Sequence, residues 1–420
     1  MENRISSKPE PGLAFRWAIL FFVSLAMFGN YYIYDSISPL ADLLSKQLKF
    51  TDANIGLLQG IYSVPNVIMV LIGGIIIDKI GTRISTFIFT LLCLIGAAVT
   101  ASFSDLTMMA IGRLIFGLGA ESMIVAVTTV IGRWFKGKQL SFAFGLNLTL
   151  ARLGSFAALN SPTWARSFYD YWQTPLYISV IAGVISIAAV IIYWGMDSYA
   201  EKSFSLRPVP KQDQIILKEI FSFSKSYWFV VLLCVTFYSG IFPFQTFAVK
   251  FFMETHGTTR EMGGFLSSML TLSAMVLTPL FGLMADYVGK RSLLMMFGSL
   301  LLIPVYLLMA YTHVSLYIPM ALMGIAFSLI PAVMWPSVAI IVDEAKLGTA
   351  YGLMTMIQNI GLASFNFIIG WSNDFSGGYT MGMWIFSSLG FFGLLFAFLL
   401  RKSEKGTGGH GLENGISKTN

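Results

Sequence analysis

Charged residues are scarce in this chain of 420 residues. They make up 11% of the sequence, hydrophobic residues make up 56%, and the mean hydropathy is +0.73. A soluble domain carries about 25% charged residues and 45–50% apolar ones. A chain with so few polar side chains could not cover its surface in water. This excludes soluble enzymes, nucleic-acid-binding proteins and disordered proteins, and it indicates a membrane protein with several spans.

Cysteine and histidine are also scarce. The two cysteines, Cys93 and Cys234, lie inside apolar segments, and the three histidines are scattered along the chain. This distribution disfavours a disulfide framework and a thiolate metal site. We therefore expect no metal and no cofactor. A polytopic membrane enzyme is disfavoured as well, because potential nucleophiles, bases and metal ligands are dispersed.

Long apolar runs are what the sequence has instead. A membrane-spanning helix needs roughly 20 mostly apolar residues, and twelve such runs are present. They lie near 15–39, 54–77, 84–102, 107–132, 139–163, 174–195, 226–252, 261–285, 291–311, 315–341, 347–371 and 379–400. Because the runs are unbroken rather than alternating, they predict helices and not barrel strands.

A polar interval divides the runs into two sets of six. The predicted organisation is a tail at 1–14, a six-helix bundle at 15–195, a linker at 196–225, a second six-helix bundle at 226–400 and a tail at 401–420. Of the 27 Lys and Arg residues, 20 fall on the side of the two tails, 5 on the other side and 2 within spans. The positive-inside rule then places both termini and the linker in the cytoplasm. The net charge of +6 is thus a signal of topology and not of nucleic-acid binding.

The two sets of six spans repeat each other. Residues 74–83 read GIIIDKIGTR and residues 282–291 read GLMADYVGKR, at an offset of 208. Residues 143–146 and 350–353 read AFGL and AYGL, at an offset of 207. Two nearly equal offsets that pair equivalent spans predict two parallel, pseudo-symmetric six-helix halves.

These motifs resemble a known family. The repeated loop is similar to the signature loop of the major facilitator superfamily, and Gly112, Arg113, Gly117 and Gly119 resemble its fourth-helix motif. A narrower likeness is to the branch of lysosomal dipeptide transporters. It rests on Asn30–Asp35, Ser63–Val67, Gly119–Ser122, Trp134–Lys138, Ala151–Ser155, Met334–Pro336 and Gly348–Gly352. The resemblance implies the major facilitator fold and facilitated, uniport-like transport of small peptides.

The signature loops place charges at helix ends. Asp78 with Arg83, and Asp286 with Lys290 and Arg291, are predicted to form a latch that breaks when the two halves rock. The alternative is a solvated turn that the glycines of each loop keep short.

Charges inside the spans are the strongest candidates for a site, because a charge at a helix centre costs about 2.5–3.5 kcal/mol on insertion scales. Glu121 lies about 14 residues into the fourth span, and Arg152 lies at a similar depth in the fifth. A permanent ion pair between them is one interpretation. The favoured one is a zwitterion site, in which Glu121 binds an ammonium and Arg152 a carboxylate. The resemblance supports it, since that branch carries an acid and a base at the matching positions.

Four further residues complete the predicted substrate site. Asn359 corresponds to Arg152 in the second half and is expected to contact peptide or side-chain groups. Asn30 and Tyr34 share a helix face, for which cavity lining and helix packing are equally good interpretations. Trp335, between two prolines, is either a gate residue or packing at a kink.

Two other intramembrane charges are expected to have simpler roles. Arg113 is expected to make a structural bond or to reach the interface, and Asp35 to be hydrated near the outer surface.

Alternative functions stay open at this point. The rival transporter is a proton-coupled symporter of amino acids, peptides or other small organic ions. The rival of another class is a receptor or scaffold that does not transport. The expected partners are a dipeptide-like zwitterion and the lipid bilayer.

The sequence also bears on location. It has no acidic-dileucine signal near its start and no glycosylation acceptor outside the spans. A bacterial inner membrane or a plasma membrane is therefore favoured over the lysosomal membrane of the branch, and a glycosylated accessory subunit is doubtful.

Overall fold

The computed structural model describes residues 9–135, 139–204, 223–343, 346–406 and 409–414, and within these ranges the chain is helical, with no strand. The first half contains α1 (Leu13–Asp35), α2 (Ala41–Leu48), α3 (Asp52–Gly60), α4 (Ser63–Ser102), α5 (Leu106–Phe135), α6 (Leu140–Leu159), α7 (Ser161–Trp164) and α8 (Gln173–Ser203). The second half contains α9 (Lys225–His256), α10 (Arg260–Val288), α11 (Arg291–Tyr311), α12 (Tyr317–Ile341), α13 (Leu347–Ser376) and α14 (Thr380–Glu404).

Twelve segments of the described chain are long and apolar enough to cross a membrane, which confirms the predicted number. The second span consists of α3 and the beginning of α4, and the third is the rest of α4. The start of α1, the end of α14 and the two signature loops lie on one side, which we call the terminal face. The loops that precede α3, α5, α8, α10, α12 and α14 lie on the other side, which we call the opposite face.

Glycine makes both turns of the repeated signature motif. Gly81 has φ 82° and ψ 162°, a conformation that breaks α4 between the second and third spans. Gly289 has φ 65° and ψ −137° at the equivalent point between α10 and α11. A residue with a Cβ would be strained in either conformation. The sequence motif therefore repeats because both halves need the same sharp return at the terminal face.

Helix packing repeats in the two halves as the sequence does. In the first half, α1 packs on α6 and α8, which are the fifth and sixth spans. In the second half, α9 packs on α13 and α14, which are the eleventh and twelfth spans. The fold is thus the predicted pair of pseudo-symmetric six-helix bundles.

The two halves meet most closely at the opposite face, where α3 crosses α13. A Cβ on Gly56 would lie 2.1 Å from the carbonyl oxygen of Asn366, and one on Gly370 would lie 2.1 Å from that of Asp52. Only glycine allows the two backbones to approach this closely. Apolar side chains of the first half, among them Ile37 and Leu58, join the core of the second half here.

Some local predictions need correction or fall outside the described residues. The loop after the first span carries α2, which was not predicted, and α8 continues to Ser203, so helix extends into the predicted linker at 196–225. Residues 205–222 of that linker, residues 1–8 and 415–420 of the tails, and the predicted terminal-face cations Lys136 and Lys138 lie outside the described residues.

Candidate substrate cavity

A cavity of about 270 Å³ lies between the two halves, near the middle of their helices. A site for one water molecule needs roughly 10–15 Å³, so the cavity is large enough for an organic solute. Its polar and charged lining residues are Asn30, Tyr31, Tyr34, Asp35, Tyr62, Glu121, Arg152, Ser155, Tyr238, Gln245, Thr271, Trp335, Thr355 and Gln358. Apolar contacts come from Phe116, Ala120, Ile124, Phe242 and Leu362.

Glu121 and Arg152 both line this cavity. They come from α5 and α6, and no ion pair within 4.0 Å joins these two described residues. The guanidinium of Arg152 lies instead beside the rings of Tyr31 and Phe327, with its Cζ 5.7 Å and 5.4 Å from the ring centroids. In this conformation the permanent ion pair of the alternative interpretation is absent, and the two opposite charges face the same space separately.

Asp35 is a second carboxylate on the cavity wall. The expectation that it is hydrated near the outer surface is wrong, because the residue is only 7% exposed and lines the cavity beside Ser155. It is the last residue of α1, and the chain then turns into a short 3₁₀ segment that closes the opposite face. The cavity therefore carries two acids and one guanidinium.

Asn30, Tyr34 and Trp335 are the other predicted site residues that face the same space. All three line the cavity. The amide of Asn30 donates to the carbonyl of Ala120, and the indole Nε1 of Trp335 donates to the hydroxyl of Tyr238 at 3.0 Å. The aromatic wall thus extends from the first half to the second.

Asn359 lies behind the wall rather than in it. It is 1% exposed, accepts a hydrogen bond from the Nδ2 of Asn66 at 3.3 Å and donates one to the carbonyl of Thr355. The neighbouring Gln358 lines the cavity instead. Pseudo-symmetry identified the correct turn of α13. The rotation of this helix about its axis, however, turns Gln358 and not Asn359 toward the cavity.

Arg113 is a structural residue. Its side chain is 2% exposed and donates to the carbonyls of Ile33, Tyr34 and Leu58 and to the Oε1 of Gln59, at 3.0–3.2 Å. The carbonyls belong to the last turns of α1 and α3, where helical carbonyls lack partners. A buried cation at two helix C-termini is also favoured by their dipoles. Arg113 thereby fixes the helix ends that carry Tyr34 and Asp35.

The signature-loop charges make contacts within each half. The Nε of Arg83 donates to Asp197 at 2.5 Å and its Nη2 to Glu201 at 2.6 Å, both on α8. Asp286 pairs with Arg291 five residues later.

The remaining two signature residues take different positions. The Lys290 amide donates to the carbonyl of Glu413. Asp78, whose side chain has a partner, is exposed at the end of its span. In this conformation Arg83 and Arg291 brace single halves, so the predicted latch between halves stays a prediction for another conformation.

Asp197 is an important residue that the motifs did not reveal. Its side chain is fully buried, and it accepts hydrogen bonds from Arg83, from Arg133 and from the indole of Trp134. It lies two residues past the predicted end of the sixth span, where a lone carboxylate looks like a solvated helix end. Its structural role becomes evident only in the folded protein, where Arg83 of α4 and Arg133 of α5 both bind its carboxylate.

A network of side chains joins the two halves at the opposite face. It comprises Asp52 on α3, Lys250 on α9, and Asn373 and Asp374 on α13, and we call it the opposite-face network. Lys250 pairs with Asp52, and Asn373 donates to the other carboxylate oxygen of Asp52 at 3.0 Å. The carboxylate of Asp374 accepts the amides of Asp52 and Ala53 at 2.8 and 2.7 Å. A side chain of the second half thus caps a helix of the first.

A second charged contact reinforces this closure. Arg260 on α10 binds Asp42 of α2 with two hydrogen bonds, at 3.1 and 2.6 Å. Asp42 is 1% exposed, so the pair is held at a buried point of the interface.

The fold is that of a polytopic membrane transport protein with a cavity between two six-helix halves. The chain belongs to the major facilitator superfamily, whose model matches residues 20–256 and 244–416. This family consists of membrane transporters and not of enzymes.

Comparison with curated proteins finds relatives over most of the chain. The bovine (Bos taurus) lysosomal dipeptide transporter MFSD1 is 32% identical over 87% of this chain and 81% of its own length. The human (Homo sapiens) protein of the same name is 31% identical over 94% of this chain and 88% of its own. A hexuronate transporter of Bacillus subtilis is 22% identical over 88% of this chain and 92% of its own.

Solved structures show the same fold at low identity. The nucleoside transporter NupG has a TM-score of 0.75 at 16% identity and covers 91% of this chain and 99% of its own. A bacterial homologue of the human lysosomal transporter Spinster, in an inward-facing and occupied conformation, has a TM-score of 0.72 at 15% identity. It covers 93% of this chain and 98% of its own.

The buried charge centre gives the first prediction. Asp197→Asn leaves two arginines without their shared carboxylate, and loss of one partner of a buried pair costs about 3–5 kcal/mol. We expect a marked fall in the thermal unfolding midpoint of the detergent-solubilised protein. The matched control is Glu201→Gln. Glu201 pairs with the same Arg83, but its side chain is 59% exposed, so this substitution should change the free energy of unfolding by less than about 1 kcal/mol. Equal effects of both variants would contradict the assignment.

Proposed function

We propose that this protein carries small zwitterionic solutes, above all dipeptides, across the membrane by alternating access and facilitated, uniport-like transport. The observation that carries the proposal is the presence of Glu121 and Arg152 on the wall of one cavity without an ion pair between them. Two opposite charges at mid-membrane that do not neutralise each other suit a ligand with opposite charges of its own. The relatives named as dipeptide transporters support the same substrate class.

Each charge has a role in this proposal. Arg152 binds the ligand carboxylate, because a planar guanidinium holds both oxygens at once. Glu121 accepts hydrogen bonds from the ligand ammonium. The second half contributes neutral groups, with Gln358 positioned for amide contacts and Trp335 as an aromatic wall. The ligand therefore bridges the two halves.

Alternating access requires that the opposite-face network break. The network closes the cavity on one side in this conformation, and rocking of the halves would separate Lys250 from Asp52 and Asp374 from the end of α3. When the terminal face closes in turn, the signature-loop charges are predicted to form the latch there. These are Asp78, Arg83, Asp286, Lys290 and Arg291. A ligand moves this equilibrium only by its differential affinity for the two states.

The terminal face is assigned to the cytoplasm in this proposal. The excess of Lys and Arg on that side supports the assignment. The protein is a multi-pass integral membrane protein, and the lack of glycosylation acceptors in the loops between its spans favours a bacterial inner membrane or a plasma membrane. The alternative is the lysosomal membrane, as in the names of the relatives.

A proton-coupled symporter is the second candidate function, and one observation favours it. Asp35 and Glu121 face the same cavity with a single guanidinium, so the cavity holds one more acid than base. An acid that must be neutralised before the halves move would couple transport to a proton.

The zwitterion site predicts matched effects of residue and ligand changes. Thermal-shift titration with dipeptides should show ligand stabilisation of the wild type and its loss in Glu121→Gln and in Arg152→Ala. An N-acetylated dipeptide, which lacks the ammonium, should bind as weakly to wild type as to Glu121→Gln. A dipeptide with a C-terminal amide, which lacks the carboxylate, should bind as weakly to wild type as to Arg152→Ala. Unchanged dipeptide binding in either variant, with folding intact, would remove that residue from the site.

Asn359 gives the internal control for this experiment. Pseudo-symmetry predicts a ligand contact, whereas its position behind the wall favours an effect through Asn66. If Asn359→Ala leaves the affinity for every dipeptide unchanged, Asn359 is not a binding residue. Gln358→Ala, one residue away on the wall, is the matched comparison.

Uptake into proteoliposomes separates the two candidate functions. For a uniporter, labelled dipeptide equilibrates to the same level with and without an inward proton gradient, and unlabelled dipeptide on the far side drives exchange. Accumulation above equilibrium under the gradient, abolished by Asp35→Asn or Glu121→Gln, would establish the symporter instead. Failure of every dipeptide to exchange or accumulate would contradict dipeptide transport by either mechanism and would leave only a symporter of amino acids or other small organic ions.

The opposite-face network predicts a shift in conformation. Lys250→Met leaves the buried Asp52 unpaired, which costs about 3–5 kcal/mol, so we expect the opposite face to open. A cysteine at Ile55, a position buried between the halves, should then react at least about tenfold faster with a membrane-impermeant maleimide. The native Cys93 and Cys234 are buried and should give little background.

Two variants control this experiment. Adding Asp52→Asn to Lys250→Met removes the unpaired charge and should slow the labelling again. Glu254→Gln changes an exposed carboxylate 4.0 Å from the same lysine and should have little effect. If Lys250→Met labels like wild type, the network is not what closes this face.

A further inference from the structure

Arg152 lies between two aromatic rings that belong to different halves. Its Cζ is 5.7 Å from the ring centroid of Tyr31 on α1 and 5.4 Å from that of Phe327 on α12. A guanidinium within about 6 Å of a ring is attracted by the ring's quadrupole, and the attraction is stronger where water is excluded. The contact with Phe327 therefore holds a side chain of the first half against the second half.

Phe327 is fixed within its own half. Its side chain is 2% exposed and stacks on Phe237 at 6.3 Å with an interplanar angle of 19°. The ring of Phe242, which lines the cavity, meets it edge-on at 6.0 Å. Both neighbours belong to α9, so Phe327 moves with the second half when the halves rock.

The contact with Phe327 matters because Arg152 has no ion-pair partner nearby in the described part of the chain. No ion pair within 4.0 Å neutralises Arg152 within the described chain, although Glu121 and Asp35 line the same cavity. Arg152 is partly exposed to the cavity, and an arginine at this depth also depends on favourable contacts with the protein. One of the two rings that make such contacts is provided by the half that has to move.

We infer that Phe327 is a positioning residue that links the readiness of Arg152 to bind a carboxylate to the relative position of the two halves. With the opposite face closed, the ring holds the guanidinium at the cavity wall. When α12 moves away from α6, the contact breaks and the guanidinium is free to reorient, which favours release of the carboxylate. Phe327 thus acts on affinity through Arg152. The inference rests on the proposed binding of the ligand carboxylate by Arg152.

The test compares ring loss at two positions of one aromatic stack. Phe327→Met keeps an apolar side chain of similar volume but removes the quadrupole. Phe237→Met does the same at a ring that packs on Tyr238 and Phe327 of its own half. We expect Phe327→Met to weaken binding of alanyl-alanine by about three- to tenfold. It should leave binding of the C-terminal amide of that dipeptide unchanged. Phe237→Met should change both ligands equally or neither.

A conservative variant and a ligand-free readout complete the test. Phe327→Tyr keeps a ring and should restore affinity for the free carboxylate. In the absence of ligand, Phe327→Met should raise labelling of a cysteine at Ile55, because one contact that favours this conformation is lost, and Phe237→Met should raise it less.

Two outcomes would overturn the inference. One is equal loss for carboxylate and amide ligands in Phe327→Met, which would mean general loosening. The other is identical behaviour of Phe327→Met and Phe237→Met in both readouts. Failure of the proposed function is distinguishable, since then Arg152→Ala itself would leave binding of alanyl-alanine unchanged.

Discussion

The cost of a charge in a low-dielectric interior governs this structure. Each buried charge finds a different compensation: backbone carbonyls for Arg113, two arginines and an indole for Asp197, and an ion pair across the halves for Asp52. Arg152, Glu121 and Asp35 differ from these, because they line the cavity without an ion pair among the described residues, and Arg152 lies instead beside two aromatic rings. Because buried ions are as a rule paired, these three cavity charges are the ones that keep interaction capacity for a ligand or for water.

The architecture followed from sequence because its signals are long or repeated. Apolar runs of about 20 residues have one stable solution in a bilayer, and the two offsets near 208 defined the pseudo-symmetry. The glycines of the signature loops could be recognised because the motif occurs twice. The structure explains the repeat, since Gly81 and Gly289 occupy backbone conformations that favour glycine. Short elements such as α2 carry no such signal and were missed.

Residues of the candidate cavity could be predicted from the sequence only where their type is rare within spans or part of a motif. Glu121 and Arg152 stood out as charges deep in spans, and Asn30, Tyr34 and Trp335 by motif and position. Asp35 and Gln358 were missed because helix rotation and the depth of a helix end depend on packing between helices. Asn359 shows the limit most clearly, since a repeat fixes the helical turn but not the side of the helix that faces the cavity.

The distribution of groups between the halves bears on how the proposed carrier would work. The three charges on the cavity wall belong to the first half, whereas Gln358, Trp335 and Phe327 belong to the second. The same asymmetry holds at the opposite face, where Asp374 and Lys250 of the second half act on one helix end of the first. A ligand that stays bound to the charges of the first half would exchange its neutral contacts during rocking, while Arg152 would lose its contact with Phe327. The ligand's affinity would therefore fall in the state where that contact is broken, by no more than the strength of one cation–π contact. Without an energy source, such a difference affects the rates of binding and release on the two sides but not the direction of net transport, which follows the solute gradient.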